Sequence, residues 1–190
     1  MKAFLVRNSA SDTPDVELGA DSAVLRHAEP VFVPDPTDRW TSMVAPAIRI
    51  SRLGTHIRRN PQDYYDAVGA VHVLIPASPS VAPGMPPLAM DRALAPGAWQ
   101  PVENGTVEMT VRRSVLWGDD PEAETLIAAD FSLLTLAADE VVRHISEYVT
   151  FRTGDIIIFA DAAAHLGTPL IDTRVQAWIN GDISLDIRIK

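Results

Sequence analysis

Four side chains stand where their types could do chemistry: Arg49, His72, Asp161 and His165. Asp161 and His165 flank an alanine-rich loop. A carboxylate beside an imidazole can take up and return a proton, so the two could pair at the mouth of a pocket; a solvated loop is the plainer alternative. His72 lies in the apolar run 68–75, VGAVHVLI. An imidazole there can ligate a metal, although a packed core histidine is the commoner case. His56, His144 and His165 lie far apart and show no His-x-x-x-His spacing, so zinc is not indicated among them. There is no cysteine, hence no thiolate nucleophile, no thiolate zinc site and no disulfide framework. A serine nucleophile lacks its Gly-x-Ser-x-Gly elbow. The pair Arg58-Arg59 is too short a basic run to bind a polyanion.

The elements that must position these groups are mostly strands. Residues 1–7 read as a first strand and 8–19, NSASDTPDVELG, as a polar loop. Residues 29–38 place a short strand between prolines. The run 48–53, IRISRL, alternates apolar and polar side chains as a half-buried strand does, and Gly54 ends it. Pro46 threatens that strand, since proline cannot donate to a ladder. Residues 68–75 read as a buried strand, 107–117 as an alternating one, and 119–124 as a charged turn. The proline-rich stretch 76–87, PASPSVAPGMPP, must be loop. The one helix is expected over 137–148, where Val141, Val142 and Ile145 share a face and Asp139 and Glu140 complement the dipole of the first turn. A turn at 153–155 leads into a buried strand at 156–159. Asn180-Gly181 joins 175–179 to 183–189 as a hairpin, because both central positions of that turn need positive φ. One helix among many short strands predicts a mainly β (α+β) fold.

The 190 residues suit a single domain, and a hydrophobic content of 47% suits a globular chain. The net charge of −9 and pI of about 4.9 argue against nucleic acid and against an anionic membrane surface as partners. The start, MKAFLVRNSA, has too short an apolar core for a signal peptide, and no apolar run is long enough for a membrane span. A soluble, cytoplasmic protein is expected.

Three segments, 47–57 (AIRISRLGTHI), 64–69 (YYDAVG) and 139–155 (DEVVRHISEYVTFRTGD), resemble in order and spacing the fumarylacetoacetate hydrolase family. The resemblance runs from about residue 31 to residue 190, with a gap at the proline-rich loop. It implies a mixed β-sandwich or roll with one principal helix, a variable segment at 1–30, and loop at 76–87 in place of a longer, partly helical segment that helps close the site. It also implies a homodimer. The family cleaves or isomerises small 2-oxo and 2,4-dioxo acids around Mg²⁺, Mn²⁺ or Ca²⁺ held by three carboxylates.

The functional positions implied by the resemblance are altered here. The Glu-x-Glu pair, which period two would set on one face of a strand, falls on Met43 and Ala45. The third ligand falls on Val73, or on His72 one residue earlier. A hard cation takes oxygen ligands, and these side chains supply none. The family's lysine falls on Leu88, before Met90-Asp91, and its glycine-rich carboxylate-binding turn on residues 160–163, where Asp161 would repel a carboxylate. Arg49 shares strand parity with Met43 and Ala45 and could bind an anion. Two readings follow. In one, the chain is a non-catalytic relative without cofactor that binds a small ligand, such as a carboxylate, or pairs with itself or a catalytic relative. In the other it is a hydrolase, isomerase or lyase of a small oxo acid with a rebuilt site.

Overall fold

The computed structural model describes residues 1–26, 29–35, 37–84, 86–102, 105–115, 124–132 and 136–190, with 124–131 as backbone. In chain order the elements are β1 (Ala3–Arg7), β2 (Asp15–Gly19), β3 (Trp40–Ile50), β4 (Tyr65–Pro76), β5 (Leu94–Pro96), β6 (Gln100–Pro101), β7 (Thr106–Val115), β8 (Glu124–Ser132), α1 (Ala138–Tyr148), β9 (Ile156–Phe159), β10 (Ala164–Gly167), β11 (Thr173–Ile179) and β12 (Asp182–Ile189). One sheet runs β2-β1-β9-β3-β4-β5, with β10 also on β3 and β6 also on β4. The other runs β12-β11-β7-β8. The mainly β architecture with one helix is as the sequence predicts. Among the described residues no helix is long and apolar enough to cross a membrane.

Alternation decides which faces meet. Val44, Ile48 and Ile50 of β3 share a core with Val107, Met109 and Val111 of β7 and with Val175, Ala177 and Ile179 of β11. The helix adds Val141, Val142 and Ile145 to that core. A second cluster covers the other face of the larger sheet, with Met43, Ala45, Ala47, Val71, Val73, Leu88 and Leu94. Asn180 (φ 50°) and Gly181 (φ 87°) make the expected turn of the β11–β12 hairpin.

Several expectations need correction. Residues Asp15–Gly19, expected as loop, form β2, because Asp15 and Glu17 sit opposite Arg7 and Leu5 of β1 and Arg7 pairs with both carboxylates. The strand expected between prolines at 29–38 is reduced to a bridge from Val31 to Ile189, and Thr37–Arg39 turn as a short 3-10 helix. The strand expected at 48–53 begins at Trp40 and stops at Ile50, leaving Leu53 68% exposed. Of the expected turn at 119–124, residues 119–123 lie outside the described residues, and Glu124 begins β8. Leu116 and Trp117, expected in β7, also lie outside the described residues.

Pro46 stands in the middle of β3 without breaking it. Ala47–Arg49 pair with β9 on one edge, and Ser42–Val44 pair with β10 on the same edge. Pro46 falls between the two partners, where no strand needs its missing N–H. Its cross-strand neighbour Ala70 turns its own backbone groups the other way, accepting from Gly97 N–H at 2.9 Å and donating to Ser184 Oγ at 2.9 Å.

Ser184 also joins the two sheets. Its hydroxyl donates to Ala98 O at 2.8 Å, and its carbonyl accepts from Ala98 N–H at 2.6 Å. The approach is so close that a Cβ on Gly97 would lie 2.2 Å from the Ser184 oxygen. Replacing Gly97 by alanine must push β12 away from β4. We expect Gly97→Ala to cost about 2 kcal/mol in urea unfolding; a cost within error of zero would show that the seam is not tightly packed.

Candidate functional site

The β3–β4 hairpin builds the surface on which the sequence places its site. Met43 lies directly opposite Val73, Ala45 opposite Val71, Ala47 opposite Gly69 and Arg49 opposite Ala67. Directly opposed residues share a face, so Met43, Ala45 and Val73 are neighbours on one side of the sheet. They are 3%, 0% and 0% exposed. The same face continues to Thr41 and Ile75, which also lie opposite each other. Across every register of this face the two strands offer one side-chain oxygen, that of Thr41, which donates to Gly167 O at 3.4 Å. Leu88 is fully buried in the same cluster, and its N–H donates to Glu17 Oε1 at 2.7 Å. These residues do not fit a hard cation. They lack oxygen donors, and nothing polar among them would repay its dehydration.

The four candidate side chains fall in three settings: Arg49 and His165 are on the Met43 face, Arg49 six positions along β3 from Met43, while His72 and Asp161 lie elsewhere. Arg49 ends the row of Met43 and Ala45, as its parity predicts. Its guanidinium lies 5.7 Å from the Trp99 ring centre and 3.7 Å from Asp66 Oδ1, in partial contact with solvent. His72 points to the opposite face, between Val44 and Ala95, inside the core shared by the two sheets. It is fully buried, and neither ring nitrogen has a hydrogen-bond partner. Burial alone pushes its pKa down to about 4. Asp161 lies in a 3-10 turn after β9, where Oδ2 accepts from Ser9 N–H at 2.8 Å and from Ser9 Oγ–H at 2.7 Å. That contact ties the β1–β2 connection to the β9–β10 turn. His165 stands exposed on β10, opposite Met43. No ion pair joins it to Asp161 among the described residues.

A larger groove, of about 790 Å³, opens between β4 and the start of α1. Tyr65 OH donates to Asp139 Oδ1 at 2.9 Å across it, and Asp66, Glu140 and Arg143 line it. Burial and the Asp139 carboxylate together push the Tyr65 phenol above its ordinary range, so it remains a hydrogen-bond donor. Arg143 is ion-paired with Glu140. Sequence reasoning noted Tyr65-Asp66 and the acidic helix start separately. Nothing in the sequence signals that residues 74 positions apart meet. Among the described residues no group of three or more His, Asp or Glu is placed to hold a metal ion.

The His72 setting makes stability depend on pH. In the native state the imidazole stays neutral down to about pH 4, whereas the unfolded chain protonates it near 6.5. Between those values the unfolded state binds more protons, so stability falls as pH falls through that window and is unaffected by this group above it. The full effect is about 3 kcal/mol. His72→Leu should therefore be progressively more stable than the parent from pH 6.5 to 4, and equal slopes in denaturant unfolding would refute the burial argument.

No family model matches this sequence, and no curated protein sequence does. Solved structures do match. A 2-hydroxyhepta-2,4-diene-1,7-dioate isomerase from Mycobacterium marinum superposes with a TM-score of 0.80 at 17% identity, covering 99% of this chain and 73% of its own. A fumarylpyruvate hydrolase from Pseudomonas aeruginosa, solved with Mn²⁺ and pyruvate, gives 0.77 at 14% identity over 100% of this chain and 89% of its own. A Yersinia pestis protein described as belonging to the fumarylacetoacetate hydrolase family gives 0.76 at 15% identity over 100% and 92%. Identities this low establish a shared architecture: the chain has the fold of the fumarylacetoacetate hydrolase family.

Proposed function

We propose that this chain is a non-catalytic relative of the fumarylacetoacetate hydrolase family, one that keeps the scaffold, lacks the divalent-metal centre, and works by binding a small ligand or another subunit. One observation carries the reading. The face of β3 and β4 on which the resemblance places three carboxylates carries Met43, Ala45 and Val73, all buried in one apolar cluster that also holds Leu88. A shift of two residues along either strand still meets no carboxylate on that face. The alternative, a working hydrolase, isomerase or lyase of a small oxo acid, would need another site. The groove at Tyr65 has the volume for one, but Asp66, Asp139 and Glu140 outnumber Arg143 in it and repel an anionic substrate. A small carboxylate ligand is better matched to Arg49, beside Trp99.

Metal content tests the reading directly. Protein purified without chelator should carry well under one equivalent of Mg, Mn, Ca or Zn, and titration with Mn²⁺ should give no saturable heat. Stoichiometric binding would overturn it. Val73→Asp should cost about 3 kcal/mol or more, since it buries an unpaired charge, and Mn²⁺ should not restore the loss.

A homodimer is the second part of the proposal. Phe32, Leu170 and Ile171 are large apolar residues left 44–59% exposed on the side where Val31 and Asp172 both meet Ile189. Light scattering at micromolar concentration should return twice the chain's 20.6 kDa. A clean monomer would remove self-association and leave ligand binding or a different partner.

A further inference from the structure

β2 is an edge strand, and its ladder fixes which of its groups face outward. Ile156 N–H donates to Lys2 O, so the even residues of β1 bond to β9 and the odd ones bond to β2. Asp15, Glu17 and Gly19, opposite Arg7, Leu5 and Ala3, therefore satisfy the β1 side. Val16 and Leu18 turn their N–H and C=O groups outward, where no strand among the described residues pairs with them. Beside this edge lies a groove of about 350 Å³ between β2 and α1, floored by Phe4, Val16 and Ile145. Leu18 and Tyr148 stand on its two walls, 52% and 77% exposed. The rim is acidic. Asp12, Glu140 and Glu147 lie along it and its continuation past residue 10, with His144 lining both and Arg143 paired with Glu140.

We propose that the outer edge of β2 receives an extended, basic segment of another polypeptide, which continues the sheet and lays alternate apolar side chains in the groove beside α1. Two residues of free backbone give register and a few hydrogen bonds; the groove supplies apolar burial and the rim selects charge. A second copy of this chain fits less well. It brings a further net charge of −9, and the symmetric antiparallel pairing of Val16 with Leu18 sets Glu17 against Glu17. This inference is independent of the metal-site reading: metal content does not bear on it.

The probe is a fluorescein-labelled peptide of alternating lysine and valine. Its controls are a peptide of the same composition with lysines and valines in separate blocks and an alternating glutamate–valine peptide. Saturable anisotropy for the first peptide alone is expected, with slowed amide exchange at Val16 and Leu18 in the bound protein. Leu18→Pro removes an outward N–H and leaves the β1 ladder whole; it should weaken binding by roughly tenfold or more. Leu18→Ser, at an exposed position, removes the apolar wall without adding charge, should do the same and serves if the proline variant fails to fold. Equal binding of the blocked peptide, or undiminished binding by Leu18→Ser, would overturn the proposal. So would slow exchange of both amides in the free protein at concentrations where it is dimeric, which would assign the edge to a second copy.

Discussion

The carboxylate of Asp155 lies wholly inside the protein, accepts hydrogen bonds from Lys2 N–H at 2.7 Å and Arg152 N–H at 2.8 Å, and pairs with the Lys2 ammonium at 2.9 Å. A buried carboxylate without partners would cost several kcal/mol, so the start of the chain and the turn at 152–155 have to meet. Their meeting sets Ile156 against Lys2 and starts the parallel pairing of β1 with β9. The other edge of β9 takes Ala47–Arg49 of β3. The orientation of the β3–β4 hairpin, and with it the assignment of its two faces, is thus tied to this one contact between distant parts of the sequence.

Once that hairpin is fixed, its two faces obey different rules. The inner face meets the second sheet and is apolar apart from the buried Ser42 and His72. On the outer face, carboxylates packed together without a cation would repel one another away from water. Met43, Ala45 and Val73 stand there, buried with Leu88 in one apolar cluster. A single carboxylate placed among them would find neither a charged partner nor much water.

The parts of the fold legible in the sequence are those dictated by local rules. The α1 stripe, the Asn180-Gly181 turn and the alternation in β4 and β7 depend on spacing alone. The placing of Met43 and Ala45 on one face follows from period two once β3 is continuous. β2 was illegible because its polar residues, Asp15 and Glu17, are satisfied by Arg7 and by the backbone of Leu88, neither of which is near them in the sequence as a strand signal. Pro46 looked like a strand breaker because its tolerance depends on a gap between two partner strands. The Tyr65–Asp139 contact and the Ser9–Asp161 contact span 74 and 152 positions and leave no trace in composition or periodicity.

Glu17 links the closed face to the open edge. It turns toward the covered side of the sheet, where one oxygen takes Leu88 N–H at 2.7 Å and the other accepts from Arg7. Period two then forces Val16 and Leu18 to the other side, toward α1. The contact that seats Leu88 against Glu17 and Gly19 thus also ties β2 to the covered face. The covered face and the strand presenting a free edge are therefore parts of one arrangement.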